Sequence, residues 1–166
     1  MRNAADLSIL TSFDRSPGTH SFATSSGVSQ IARSMPSNAS SEMTVTDPAT
    51  KKTHTYVGGE PAGFIIQMEN GFKIYHMGDT GIFGDMKLIA DYYKPDLILM
   101  PIGGHFMMDP QDAAYATREW LKPKFVIPMH YGTTAFLKGT PQEYIAALGQ
   151  TTTKVFAINP GDKLEF

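Results

Sequence analysis

The chain has 166 residues, 42% of them hydrophobic and 18% charged, which suits one domain with a buried core and is short for two. A net charge of −2 excludes the clustered basic surface of a nucleic-acid binder, and no run of about 18 apolar residues offers a membrane span. Cysteine is absent, which rules out disulfides, thiolate metal sites and cysteine nucleophiles, and leaves His, Asp and Glu to hold any metal. A cytoplasmic location is the expectation that fits this composition.

Composition changes sharply near residue 42. All eleven serines lie between Ser8 and Ser41, and all ten lysines lie at Lys51 or beyond. Residues 1–42 show no sustained apolar period and are expected to be an irregular Ser-rich segment, with residues 43–166 the folded unit. Arg2, Arg15 and Arg33 give that segment some transit-peptide character, against which Asp6 and Asp14 count.

From residue 62 the elements follow closely. AGFIIQM (62–68) reads as a strand, Glu69-Asn70-Gly71 as a hairpin turn, and FKIYHM (72–77) as the returning strand, ended by Gly78-Asp79-Thr80-Gly81. Met86, Ile89, Ala90 and Tyr93 fall on one helical face, and Lys94-Pro95 stops that helix. DLILMP (96–101) is a buried strand broken by Gly103-Gly104. Asp109-Pro110 starts a second helix with Ala113, Ala116, Trp120 and Leu121 facing inward, and Lys122-Pro123 ends it. KFVIPM (124–129) is a strand. Thr140-Pro141 with Glu143 starts a third helix, with Tyr144, Ile145 and Leu148 inward and Gly149 at its end. KVFAI (154–158) and KLEF (163–166) read as closing strands. The order β-β-α-β-α-β-α-β-β predicts an α/β layer architecture.

Polar residues at the carboxyl ends of such strands gather on one sheet edge, where open α/β folds bind ligands. Three ends qualify here: Asp79 after strand 72–77, His105 after strand 96–101, and His130 after strand 124–129. An aspartate and one or two histidines suit a zinc or harder divalent ion. Read singly, each residue has a plainer role: Asp79 capping its own turn, His130 and His105 as structural histidines, His76 as a packing residue, and His20 and His54 as solvated ones. Met100, Met107, Met108 and Met129 read as core filling. Neither HxHxDH nor HExxH occurs.

Three segments carry a resemblance: YVGGEPAGFII, then YHMGDTGIFGDMKLIADYYKPDLILMPIGGHFMMDPQDAAYATREWLKPKFVIPMHYGT, then KGTPQEYIAALG. From about Ser40 onward the chain resembles the C-terminal half of metal-dependent hydrolases of the metallo-β-lactamase superfamily, akin to the ascorbate-phosphate lactonase type. The resemblance implies half of an αββα sandwich with a divalent-metal site, zinc above manganese or iron. Asp79 and His130 would be ligands there, and His105 would be a catalytic neighbour orienting water or substrate. It also implies a small-molecule substrate of ester, lactone or phosphoester type. The family's HxHxDH is missing, and Ala39 stands where a ligand histidine precedes Ser40-Ser41-Glu42. Residues 1–39 then read as a foreign start joined to half of a hydrolase. One sheet face is expected to be bare, to be covered by a second copy or a partner. A non-catalytic interaction module is the alternative. A third reading, the DTG of an aspartic protease, fits the helix and histidines around it poorly.

Overall fold

The computed structural model describes residues 28–36, 42–57 and 62–166, with side chains for 45–55 and 62–166. The sequence readings of His20, Ala39, Ser40 and Ser41 lie outside these residues.

The hairpin signal at Asn70-Gly71 holds. Strands β4 (Ala62–Met68) and β5 (Lys73–His76) pair antiparallel, with Phe64 opposite His76 and Ile66 opposite Ile74. Gly71 supplies the positive φ of 84° that the turn needs, and the Met68 carbonyl accepts its N–H. Three crossovers follow, each moving one strand further along the sheet. They run from β5 through helix α1 (Met86–Tyr93) to β6 (Leu97–Pro101), then through α2 (Pro110–Tyr115) to β7 (Phe125–Met129), then through α3 (Pro141–Leu148) to β8 (Lys154–Val155). The β5–β6, β6–β7 and β7–β8 pairs are parallel. Successive crossovers of one hand and one direction lay all their helices on one face of the sheet.

That face is the main core. Tyr75, Ile98, Met100 and Val126 from the strands meet Met86 and Ile89 of α1, Ala113 of α2, and Tyr144 and Leu148 of α3, all 2% exposed or less. Met100 and Met108 are core filling, as expected. Helix α2 begins as its sequence implies, with the Asp109 carboxylate accepting the Asp112 N–H at 2.8 Å. It continues as a π-helical turn over Ala116–Leu121, closed by the Lys122 N–H on the Thr117 carbonyl. The buried Thr117 hydroxyl lies 2.7 Å from the Tyr144 hydroxyl and ties α2 to α3. The Thr117 hydroxyl also donates to the Ala113 carbonyl at 2.8 Å and so keeps a partner. Tyr144→Phe removes one buried hydrogen bond and is expected to cost about 1 kcal/mol in urea denaturation. A loss under a few tenths of a kcal/mol would show that the pair contributes nothing.

Four expectations are corrected. Within the segment read as irregular, Val28–Pro36 forms strand β1, pairing antiparallel with β4 at the sheet edge. Serine-rich sequence has a weak period, and an open edge can recruit it through backbone hydrogen bonds alone. Glu42–Thr46 (β2) and Thr53–Val57 (β3) form a separate hairpin. KLEF forms no strand, and β8 stops after two residues. Beyond it the chain turns across the sheet, where Phe156, Ile158, Leu164 and Phe166 pack against Leu97, Leu99 and Ile127. The second face is therefore not bare over β6 and β7, whose inward residues there are 0–6% exposed. Finally, Ile145 is 46% exposed and does not belong to the inner face of α3.

Candidate functional site

The carboxyl ends of β5, β6 and β7 share one edge because the strands are parallel neighbours. The loop after β5 is pinned on both sides of Asp79. Gly78 has φ 68°, donates to His76 Nδ1 at 3.1 Å, and leaves no room for a Cβ against the Ala62 carbonyl. Thr80 is fully buried, donates its hydroxyl to the Gly81 carbonyl, and accepts the Met108 N–H at 2.9 Å. Asp79 is thereby held at the surface with its side chain 55% exposed.

His130 follows β7 in a left-handed conformation, φ 57°, which a non-glycine residue adopts at a cost of about 1–2 kcal/mol. Its ring turns toward the β5 loop, and Nε2 stands 3.4 Å from Asp79 Oδ1. The two residues singled out from separate strand ends do meet. The Asp79 hydrogen bond raises the His130 pKa above its ordinary value, Coulomb attraction adds to this, and partial burial opposes it. A raised histidine pKa contributes stability that is complete below the unfolded value near 6.5 and is lost as pH rises through the folded value. An NMR titration of the metal-free protein should find His130 above the ordinary value, and lower in Asp79→Asn. Equal values in the two proteins would remove the electrostatic coupling.

A spacing of 3.4 Å is wide for a charged hydrogen bond, which closes to about 2.7–2.9 Å. It matches two donors on one tetrahedral cation, each about 2.1 Å from the ion and hence about 3.4 Å apart. The pair thus fits a metal in chemistry and spacing. The donor set does not. Among the described residues no three His, Asp or Glu side chains are placed so that they could hold one metal ion, whereas a resident catalytic metal takes about three protein ligands. His130 Nδ1 is buried without a hydrogen-bond partner, whereas a ligand imidazole is normally anchored through its second nitrogen. No catalytic step through a metal is therefore derived from this chain alone.

His105 does not join the pair. It sits exposed at φ 63° after β6, its ring 5.3 Å from that of Phe136 and 4.2 Å from that of Phe106. It lines an open cleft of about 400 Å³ with Phe136, Lys138, Asp109 and Glu143. Phe136 and Lys138 went unnoticed in the sequence. The only signal was an aromatic residue in the glycine-flanked loop 132–139. His54 is exposed on β3.

A family model described as a beta-lactamase superfamily domain matches residues 33–130, from within β1 to His130. Among curated proteins, a UPF0173 metal-dependent hydrolase of Polaromonas is 66% identical over 120 residues, covering 72% of this chain and 44% of the relative. The corresponding protein of Cupriavidus metallidurans is 59% identical over 128 residues, covering 76% and 44%. Among solved structures, Igni18, a metallo hydrolase from Ignicoccus hospitalis, superposes with a TM-score of 0.65 at 34% identity, over 82% of this chain and 52% of its own. The chain thus spans about half the length of the relatives it matches.

Proposed function

This chain belongs to the beta-lactamase superfamily, and from that premise we propose that it supplies part of a metal-dependent hydrolase centre. Asp79 and His130 are its ligands for one divalent cation, with zinc the first choice and manganese or iron the alternatives. The observation that carries this reading is the 3.4 Å separation of Asp79 Oδ1 and His130 Nε2, delivered by two different strand ends. The metal-dependent hydrolases to which the chain is similar supply the reaction class. The substrate is a small molecule with an ester, lactone or phosphoester bond. The donors still lacking come from outside the described residues, either from this chain or from a partner. A cytoplasmic location is part of the proposal; no described helix is long and apolar enough to cross a membrane.

Calorimetric titration with Zn²⁺ and Mn²⁺ tests the proposal. One weak site per chain is expected, with affinity falling at least tenfold in either Asp79→Ala or His130→Ala, because each removes a ligand. Unchanged binding in both variants would place the metal elsewhere. No binding by the unaltered chain would favour the non-catalytic module, which the count of two donors among the described residues also supports. Any hydrolysis the chain performs should vanish with a chelator and return with the metal.

A further inference from the structure

Beside the Asp79–His130 pair, the loops after β6 and β7 are locked to each other and to the β5 loop. Ile102 donates to the Met129 carbonyl at 3.1 Å, Gly139 to the Gly103 carbonyl at 3.2 Å, and Met108 to the Thr80 carbonyl at 2.9 Å. A Cβ on Gly103 would strike the His130 carbonyl, and one on Gly139 the Ile102 carbonyl, so the two loops touch backbone to backbone. The cleft they frame is walled by the loop that packs on the His130 backbone, although neither Asp79 nor His130 is in its lining. Its acidic groups are already engaged. Asp109 accepts the Asp112 N–H, and Glu143 accepts both the N–H and the hydroxyl of Thr140. What remains is the exposed Lys138 and aromatic surface. Phe136 is 63% exposed and stacks at 25° on His105, while Phe106, 64% exposed, meets the same imidazole edge-on. Of the two phenylalanines only Phe136 lines the cleft. A large exposed ring in a concave site marks a ligand surface, and the left-handed His105 it stacks on is a strained conformation of the kind kept at such sites.

Resting on the hydrolase reading above, we propose that this cleft binds an aryl group of the substrate, stacked on Phe136 beside His105, so that Phe136 selects aromatic substrates. A volume of about 400 Å³ suits a small molecule. Phe136 and His105 come from separate, mutually pinned loops and stack within 25° of parallel, so Phe136 is held as a preformed flat ring that an aliphatic group would use less well.

The test is an NMR titration of the full chain with phenol, and with cyclohexanol as the non-planar counterpart, read at the amides of Gly103, Gly104, Phe106 and Gly139. Phenol should shift these amides saturably and cyclohexanol should not. Phe136→Leu, an exposed apolar exchange, should weaken phenol binding roughly fivefold. Equal binding of the two alcohols, an unaffected Phe136→Leu, or no shift at these amides would each overturn the proposal. Neither metal nor turnover enters the measurement. A failed metal titration with intact phenol binding would refute the metal reading alone, and the reverse would refute only the aryl site.

Discussion

Gly139→Ala is expected to destabilise the protein by about 3 kcal/mol and to disorder the cleft beside His130. The added methyl would meet the Ile102 carbonyl group and, at 3.0 Å, Pro110 Cδ. Both obstacles are backbone or ring atoms in fixed elements, so relief requires the β6 and β7 loops to separate. Overpacking against rigid neighbours costs about 1–3 kcal/mol and sometimes more, and a domain of this size loses roughly 2–4 °C in Tm per kcal/mol. Gly103→Ala should behave alike and should also displace His130, whose carbonyl it would strike. Gly84→Ala is the control, since its Cβ would meet nothing within 4 Å and its φ is not left-handed. Urea denaturation of the three variants decides. Gly139→Ala within 0.5 kcal/mol of the parent, a bound set by the usual spread of neutral surface changes, would show that the loops are not in rigid contact.

Deleting residues 163–166 should be the next most damaging change, at about 2–3 kcal/mol, with new binding of a hydrophobic dye. The Phe166 ring lies 5.6 Å from Phe72, 5.0 Å from Phe125 and 5.7 Å from Phe156, and Leu164 packs on the same cluster. Removing them opens the face over Leu97, Leu99 and Ile127. Burial of one large apolar side chain stabilises by about 1.5–3 kcal/mol, and both residues are only partly buried, so the figure lies below the sum for two. Exposed apolar sheet surface also promotes association, which light scattering would register. A truncated chain that matches the parent in stability, and binds no dye, would mean that the C-terminal residues cover nothing of consequence.

What could be read in advance follows the strength of local signals. Helices α1, α2 and α3 carry apolar residues at helical spacing, and α2 and α3 also carry Asp109-Pro110 and Thr140-Pro141 at their starts, so their positions were legible. The capping box at Thr140 and Glu143 is present as both hydrogen bonds. The convergence of Asp79 and His130 was legible too, because parallel strands must deliver their carboxyl ends to one edge. Strand β1 was not, since its partner is the edge of β4, more than twenty residues further along, and its own residues lack alternation. KLEF was misread because alternating apolar residues look alike whether they join a ladder or fold across a sheet face. Phe136 lacked any periodic context, and its meaning arises only when two loops bring it against His105.

The hairpin of β2 and β3 shares no ladder with the six-stranded sheet. A two-stranded ribbon is marginal by itself in water, and its turn is held by the Asp47 carboxylate on the Ala49 and Thr50 amides together with backbone bonds from Asp47 to Lys52 and from Lys51 to Asp47. Its backbone amides should therefore exchange with deuterium orders of magnitude faster than those of β6, which is flanked by strands on both sides. Native opening would begin there and reach the parallel strands last.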